Sequence, residues 1–269
     1  MQWWCSAQGT TWTWQWQAYP GVWLFVLLLG AGIVALHRSA ARRELAAGRA
    51  ASAALHPAIV VGLLVLWLSL DWPIGALGAG YLASVHMLQF LMMALIAAPL
   101  LLVGLSPAVA RMLAEGPMGG LLRRATSPIF ALIFFNAAVL FTHTPTIADT
   151  LMSTQLGSFA VDVAWIVAGL LFWWPVIVPV PARPRFPAPL RIGYLLVGLM
   201  FSPVMFGLAG FLAYSQTPLF RTYELAPPIA GIPSRDDHQV AGVLMSVGGA
   251  IVAFVAISSI FFRWSRESA

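Results

Sequence analysis

His86, Met87, Gln89, Met92 and Met93 lie together near the start of a run, residues 81–107, that is otherwise almost wholly apolar. Imidazole and thioether groups are suited to copper. Ionisable groups inside a membrane helix default to functional hypotheses, because burying them in lipid is unfavourable. On a regular helix His86, Gln89, Phe90 and Met93 fall at i, i+3, i+4 and i+7, which is one face. That face can hold a metal, line a contact with another membrane protein, or pack, with His86 hydrogen-bonding across helices and the methionines filling gaps. No His-x-x-x-His or Cys-x-x-Cys spacing accompanies it. Elsewhere, Asp162 sits in an apolar run and needs a partner, a water-filled cleft or a proton. His143, two residues before Pro145, suits a turn or cap as well as ligation. Asp236 and Asp237 suit a helix N-terminus by charge, and His238 suits a helix start beside solvent.

Other chemistries find no residues to carry them. The chain has no Gly-x-Ser-x-Gly elbow, Walker loop or His-Glu-x-x-His pair, so no enzyme is expected. Gly75, Gly78 and Gly80 read as an outer turn with no basic residue after it to bind phosphate. Cys5 is the only cysteine, which excludes an intramolecular disulfide.

The elements that must position these residues follow from composition. Of 269 residues, 60% are hydrophobic and 9% charged, against roughly a quarter charged in a soluble domain. The expected fold is all-α, a polytopic membrane bundle of about seven transmembrane helices. Residues 1–19 carry Trp3, Trp4, Trp12, Trp14, Trp16 and Tyr19 and read as an outer interfacial segment; residues 20–269 form one membrane domain. Spans are expected at 20–36, 57–70, 81–107, 128–141, 156–178, 190–214 and 238–262, with bends at Pro99 and Pro203. Residues 108–127 read as a surface helix, 146–154 as a loop or short helix, and 180–189 and 215–237 as loops.

All 14 basic residues are arginine. Twelve fall on one side of this seven-span layout, and only Arg221 and Arg235 on the other. By the positive-inside rule the N-terminus is outside and the C-terminus cytoplasmic. His86, His143, Asp162, Asp237 and His238 then lie near the outer face, and His37 and His56 at cytoplasmic ends. The arginines gather on no basic helix or aromatic ladder, so no nucleic-acid partner is expected.

Four segments, taken in order, resemble the CtaG-type cytochrome c oxidase assembly proteins. They are His86-Met87-Leu88-Gln89 with Ala98-Pro99-Leu100-Leu101 and Gly104; Phe141-Thr142-His143-Thr144-Pro145; Leu170-Leu171-Phe172-Trp173-Trp174-Pro175; and Asp237 through Met245. The resemblance covers essentially the whole chain. It implies a seven-helix protein of the bacterial cytoplasmic (inner) membrane that helps assemble a haem-copper oxidase. Oxidase subunits and the lipid bilayer would be its partners, and copper delivery at the outer face its task. His86 and His143 match family histidines. A second family histidine four residues after the first is Phe90 here, and a family Glu-His pair is Val161 and Asp162. The resemblance therefore implies either a scaffold or a reduced metal site of His86, Met93, His143 and Asp162. Two other classes compete: a small-solute or copper transporter, which needs a polar path to both faces, and a structural subunit of a respiratory complex, which would co-purify with it.

Overall fold

A chain in lipid must satisfy its backbone hydrogen bonds within its own segments. The computed structural model, which describes residues 2–178 and 186–268, meets this with helices alone among the described residues. In chain order they are α1 (Pro20–Ala46), α2 (Pro57–Leu70), α3 (Ile74–Gly80), α4 (Ala83–Val103), α5 (Pro107–Glu115), α6 (Gly119–Ala125), α7 (Pro128–Thr142), α8 (Pro145–Met152), α9 (Gln155–Ile177), α10 (Ala188–Tyr214), α11 (Arg221–Glu224) and α12 (Ser234–Ser268).

Prolines start five of them: Pro20, Pro57, Pro107, Pro128 and Pro145. The first turn of a helix has no use for the missing N–H, and proline's fixed φ is already helical there. Side chains cap others, with Thr154 Oγ accepting from Gly157 N at 3.1 Å and Ser106 Oγ from Val109 N at 3.3 Å.

Five helices (α1, α4, α9, α10 and α12) are long and apolar enough to cross a membrane. The count reaches seven if the bent pairs α2–α3 (47°) and α6–α7 (68°) each form one span. α4 is the hub. Of its most apolar window 67% is buried, against 11% for α1. Phe90, Met93 and Leu95 from α4 meet Phe135 of α7 and Trp165 and Phe172 of α9 in the core.

Several boundaries differ from the sequence expectation. α1 runs ten residues past Leu36, because Glu44 near its end is buried and paired with Arg49 and, at 3.2 Å, with Arg111 of α5. The outer turn expected at Gly75–Gly80 is the helix α3, whose glycines permit close approach. A Cβ on Gly75 would sit 2.0 Å from the Leu70 carbonyl oxygen, and one on Gly80 2.6 Å from the Ala7 backbone. Residues 146–152 are helical, and the 215–237 loop contains α11 and the first turn of α12. Of the 180–189 loop, residues 180–185 with Arg183 and Arg185 lie outside the described residues, and Ala188 already begins α10. The bend expected at Pro203 falls just before it, where Ser202 breaks the helix and caps the next turn through Met205 N at 3.2 Å.

Three helices also loosen into π geometry, at Leu91–Ala97, Leu196–Met200 and Leu244–Gly248. In α4 this stretch begins directly after Phe90. The 3.6-residue spacing that set His86 and Met93 on one face therefore does not run through to Met93. Inside it, the Ala94 carbonyl accepts from the Trp173 indole at 3.2 Å.

Candidate functional site

His86 lies in the first turn of α4, and that turn is held by a carboxylate from another helix. Asp237, in the first turn of α12, accepts from Ala83 N at 2.6 Å and Ser84 N at 3.2 Å, and also from the Ser84 hydroxyl. The N-terminal N–H groups of a helix lack intrahelical partners and carry partial positive charge, so a buried carboxylate there is doubly favoured. Behind it, α3 passes so close that a Cβ on Gly78 would lie 2.4 Å from Gln89 Oε1 and 3.2 Å from His86 N. Tyr223 of α11 donates its hydroxyl to the Gly78 carbonyl at 2.7 Å. Burial, reinforced by the carboxylates of Asp237, Asp149 and Asp162, pushes this phenol's pKa well up and keeps it a donor.

His143 approaches from the end of α7. Its Nδ1 donates to the Val139 carbonyl at 2.8 Å, which leaves Nε2 as the nitrogen with a free lone pair. The centroids of the His86 and His143 rings are 5.9 Å apart. Trp165 of α9 packs against both, edge-on to His86 at 4.8 Å and stacked on His143 at 5.5 Å. Its indole is fixed by donation to Thr142 Oγ1 at 2.9 Å. Phe90 closes another side, 5.3 Å from the His143 ring.

The polar atoms of this chamber are not all paired. His86 Nδ1, His143 Nε2 and Gln89 Oε1 are buried without a hydrogen-bond partner among the described residues. Interior polar atoms are nearly always paired, which makes these two imidazole nitrogens on neighbouring rings the candidate donor atoms of the site.

Asp162 and Met93 are placed differently. The Asp162 carboxylate is buried and accepts from the Trp4 indole at 2.8 Å, and Met93 is fully buried in the π stretch of α4. Among the described residues, no three of His, Cys, Asp and Glu come close enough to hold a metal ion. The residues thus fit a two-nitrogen donor pair from His86 and His143. His238 is buried rather than beside solvent, with Nδ1 on the Ser234 carbonyl at 2.7 Å and Nε2 accepting from Phe220 N at 3.3 Å.

The family model described as cytochrome c oxidase caa3 assembly factor (Caa3_CtaG) matches residues 30–267. This chain belongs to that family. Comparisons with curated proteins and with solved structures return no match. The matched stretch contains every residue of the chamber just described. Trp4, which reaches Asp162, lies before it.

For this caa3 assembly factor family member, sequence reasoning missed three supports of the chamber. The sequence pairs Asp237 with the start of its own helix, whereas its carboxylate caps α4. Trp165 and Tyr223 carried no signal beyond being aromatic. The tryptophan-rich N-terminus lies across the same end of the bundle. Backbone N–H groups of Trp3 and Trp4 donate to Gln155 Oε1 at 2.7 and 3.2 Å, and Ala7 N donates to the Met152 carbonyl at 3.0 Å. Trp14 and Trp16 remain exposed.

Proposed function

We propose that this chain assists the biogenesis of a haem-copper cytochrome c oxidase from within the bacterial cytoplasmic membrane, handling copper as cargo at its outer face. Membership of the caa3 assembly factor family supports the assembly role. The arginine distribution supports the orientation, because the polar loop at the chamber end holds Arg221 and Arg235 while most other arginines belong to the opposite end.

The observation that carries the copper reading is the pair of buried imidazole nitrogens without protein partners, His86 Nδ1 and His143 Nε2. Imidazole is a good copper ligand, and ligating histidines have their other ring nitrogen held by a hydrogen bond that fixes the tautomer, as the Val139 carbonyl does for His143. The role involves no bond-making of its own; the chain binds, holds and releases, and the oxidase subunits are its partners. Deleting the gene is expected to lower the copper content and activity of the oxidase while its subunits are still made. Normal oxidase activity and metal content in the deletion strain would defeat the assembly reading. Full oxidase assembly by a His86→Leu/His143→Leu double variant would leave a scaffold and defeat the copper reading alone.

A further inference from the structure

Away from the histidine chamber, toward the other end of the bundle, α4, α9 and α12 part to form a groove of about 570 Å³, with Arg191 of α10 at its edge. Its floor is apolar and closed: Leu95, Trp173 and Val176 are buried. Its rim is apolar and open, with Val103, Ile251 and Val255 exposed. Along α12 the lining runs from Ile251 to Arg263, about 18 Å at 1.5 Å per residue. Arg191 lies in the first turn of α10 and Arg263 late in α12, so both guanidinium groups belong to the same end of the trough. No acidic side chain lines it among the described residues.

This arrangement separates charge from hydrocarbon along one axis. An occupant must be apolar along most of its length and anionic at one end. Guanidinium forks match phosphate oxygens in geometry as well as charge, and basic pockets between membrane helices hold anionic headgroups. We propose that the groove seats an acyl chain of an anionic phospholipid whose phosphate is held by Arg191 and Arg263. The lipid wedges α4 and α9 against α12, the helix whose first turn supplies Asp237 to the histidine chamber. The site does not depend on the copper reading, because it shares no side chain with the chamber.

The full-length protein, purified in detergent, would be examined by native mass spectrometry with phosphatidylglycerol or phosphatidylcholine of identical acyl chains. Retention of phosphatidylglycerol over phosphatidylcholine is expected by roughly thirtyfold with both arginines present and by about fivefold with one removed. Arg191→Ala/Arg263→Ala should bring the two lipids to parity, and Ala256→Phe, which fills the groove, should lower retention of both. Arg124→Ala, at the surface of α6, should leave the preference as in the native chain. Arg263 is exposed, so Arg263→Ala alone gives the readout if Arg191→Ala impairs folding. Equal retention of the two lipids by the unaltered chain, or an unchanged preference in the arginine variants, would overturn the proposal. So would undiminished retention by Ala256→Phe. Preferential binding of a neutral amphiphile such as a quinone, insensitive to the arginines, would also overturn it.

Discussion

Four of the five histidines are buried, and they form two contrasting pairs. His37 and His238 have both ring nitrogens engaged. Nδ1 of each meets the carbonyl four residues back, at 2.9 Å for Ile33 and 2.7 Å for Ser234. Nε2 of each accepts a backbone N–H from a neighbouring segment, Ser106 at 3.4 Å and Phe220 at 3.3 Å. His86 and His143 each have a buried ring nitrogen without a partner among the described residues, and His143 holds its other nitrogen on the Val139 carbonyl. The first pair are cross-braces that tie loops to helices. The second pair each keep a ring nitrogen uncommitted. An unsatisfied buried polar atom costs roughly 1–3 kcal/mol, and the chain carries two on adjacent rings.

The contrast can be broken by substitution. The largest effect is expected at the support of the His86 turn: Asp237→Ala removes a buried carboxylate from three donors at the start of α4 and should cost about 3 kcal/mol. Its unfolding midpoint in detergent should fall furthest of the set. His238→Leu strands the Phe220 N–H and should cost about 2 kcal/mol in the same assay. His86→Leu and His143→Leu should stay within about 1 kcal/mol of the native chain, because they remove unpaired atoms along with paired ones. If the members of the two pairs lose equal stability, the division is wrong. The smallest change is kinetic. Cys5 is buried with its thiol donating to the Leu70 carbonyl at 3.3 Å, and burial with the nearby Asp162 and Asp71 carboxylates raises its pKa. Thiolate, not thiol, reacts with maleimide; labelling should be slow in the folded chain and fast once it is unfolded. Fast labelling of the folded chain would show that the N-terminal segment does not stay docked over the chamber.

How far the sequence shows this depends on whether a signal is local. Spans are long apolar runs, and helix starts at Pro20, Pro57, Pro107, Pro128 and Pro145 follow from one residue's geometry, so both are legible. His86 and His143 stand out because ionisable groups are rare in such runs. The supports are not legible, because they depend on partners far along the chain. Asp237 holds Ala83 across 154 residues, and Trp4 reaches Asp162 across 158. Gly78 reads as a turn residue, since glycine's two uses, left-handed backbone and close approach, look alike in sequence. The π stretch at Leu91–Ala97 has no compositional mark, so the shift of Met93 off the His86 face is not legible in the sequence. The 215–237 segment reads as an open loop that leaves His238 beside solvent, yet Phe220 and Tyr223 fold over it at 5.7 and 6.1 Å.

The central claim is that the unpaired imidazoles, and not buried histidines in general, receive copper. Metal analysis of the purified protein after copper loading and removal of loose metal tests it most directly, in the native chain and in His86→Leu, His143→Leu, His238→Leu and Asp162→Asn. The account predicts stoichiometric copper in the native chain, retained by His238→Leu and by Asp162→Asn, and lost in either His86→Leu or His143→Leu. Negligible copper in every sample, or copper that survives in both the His86 and His143 variants, would contradict it.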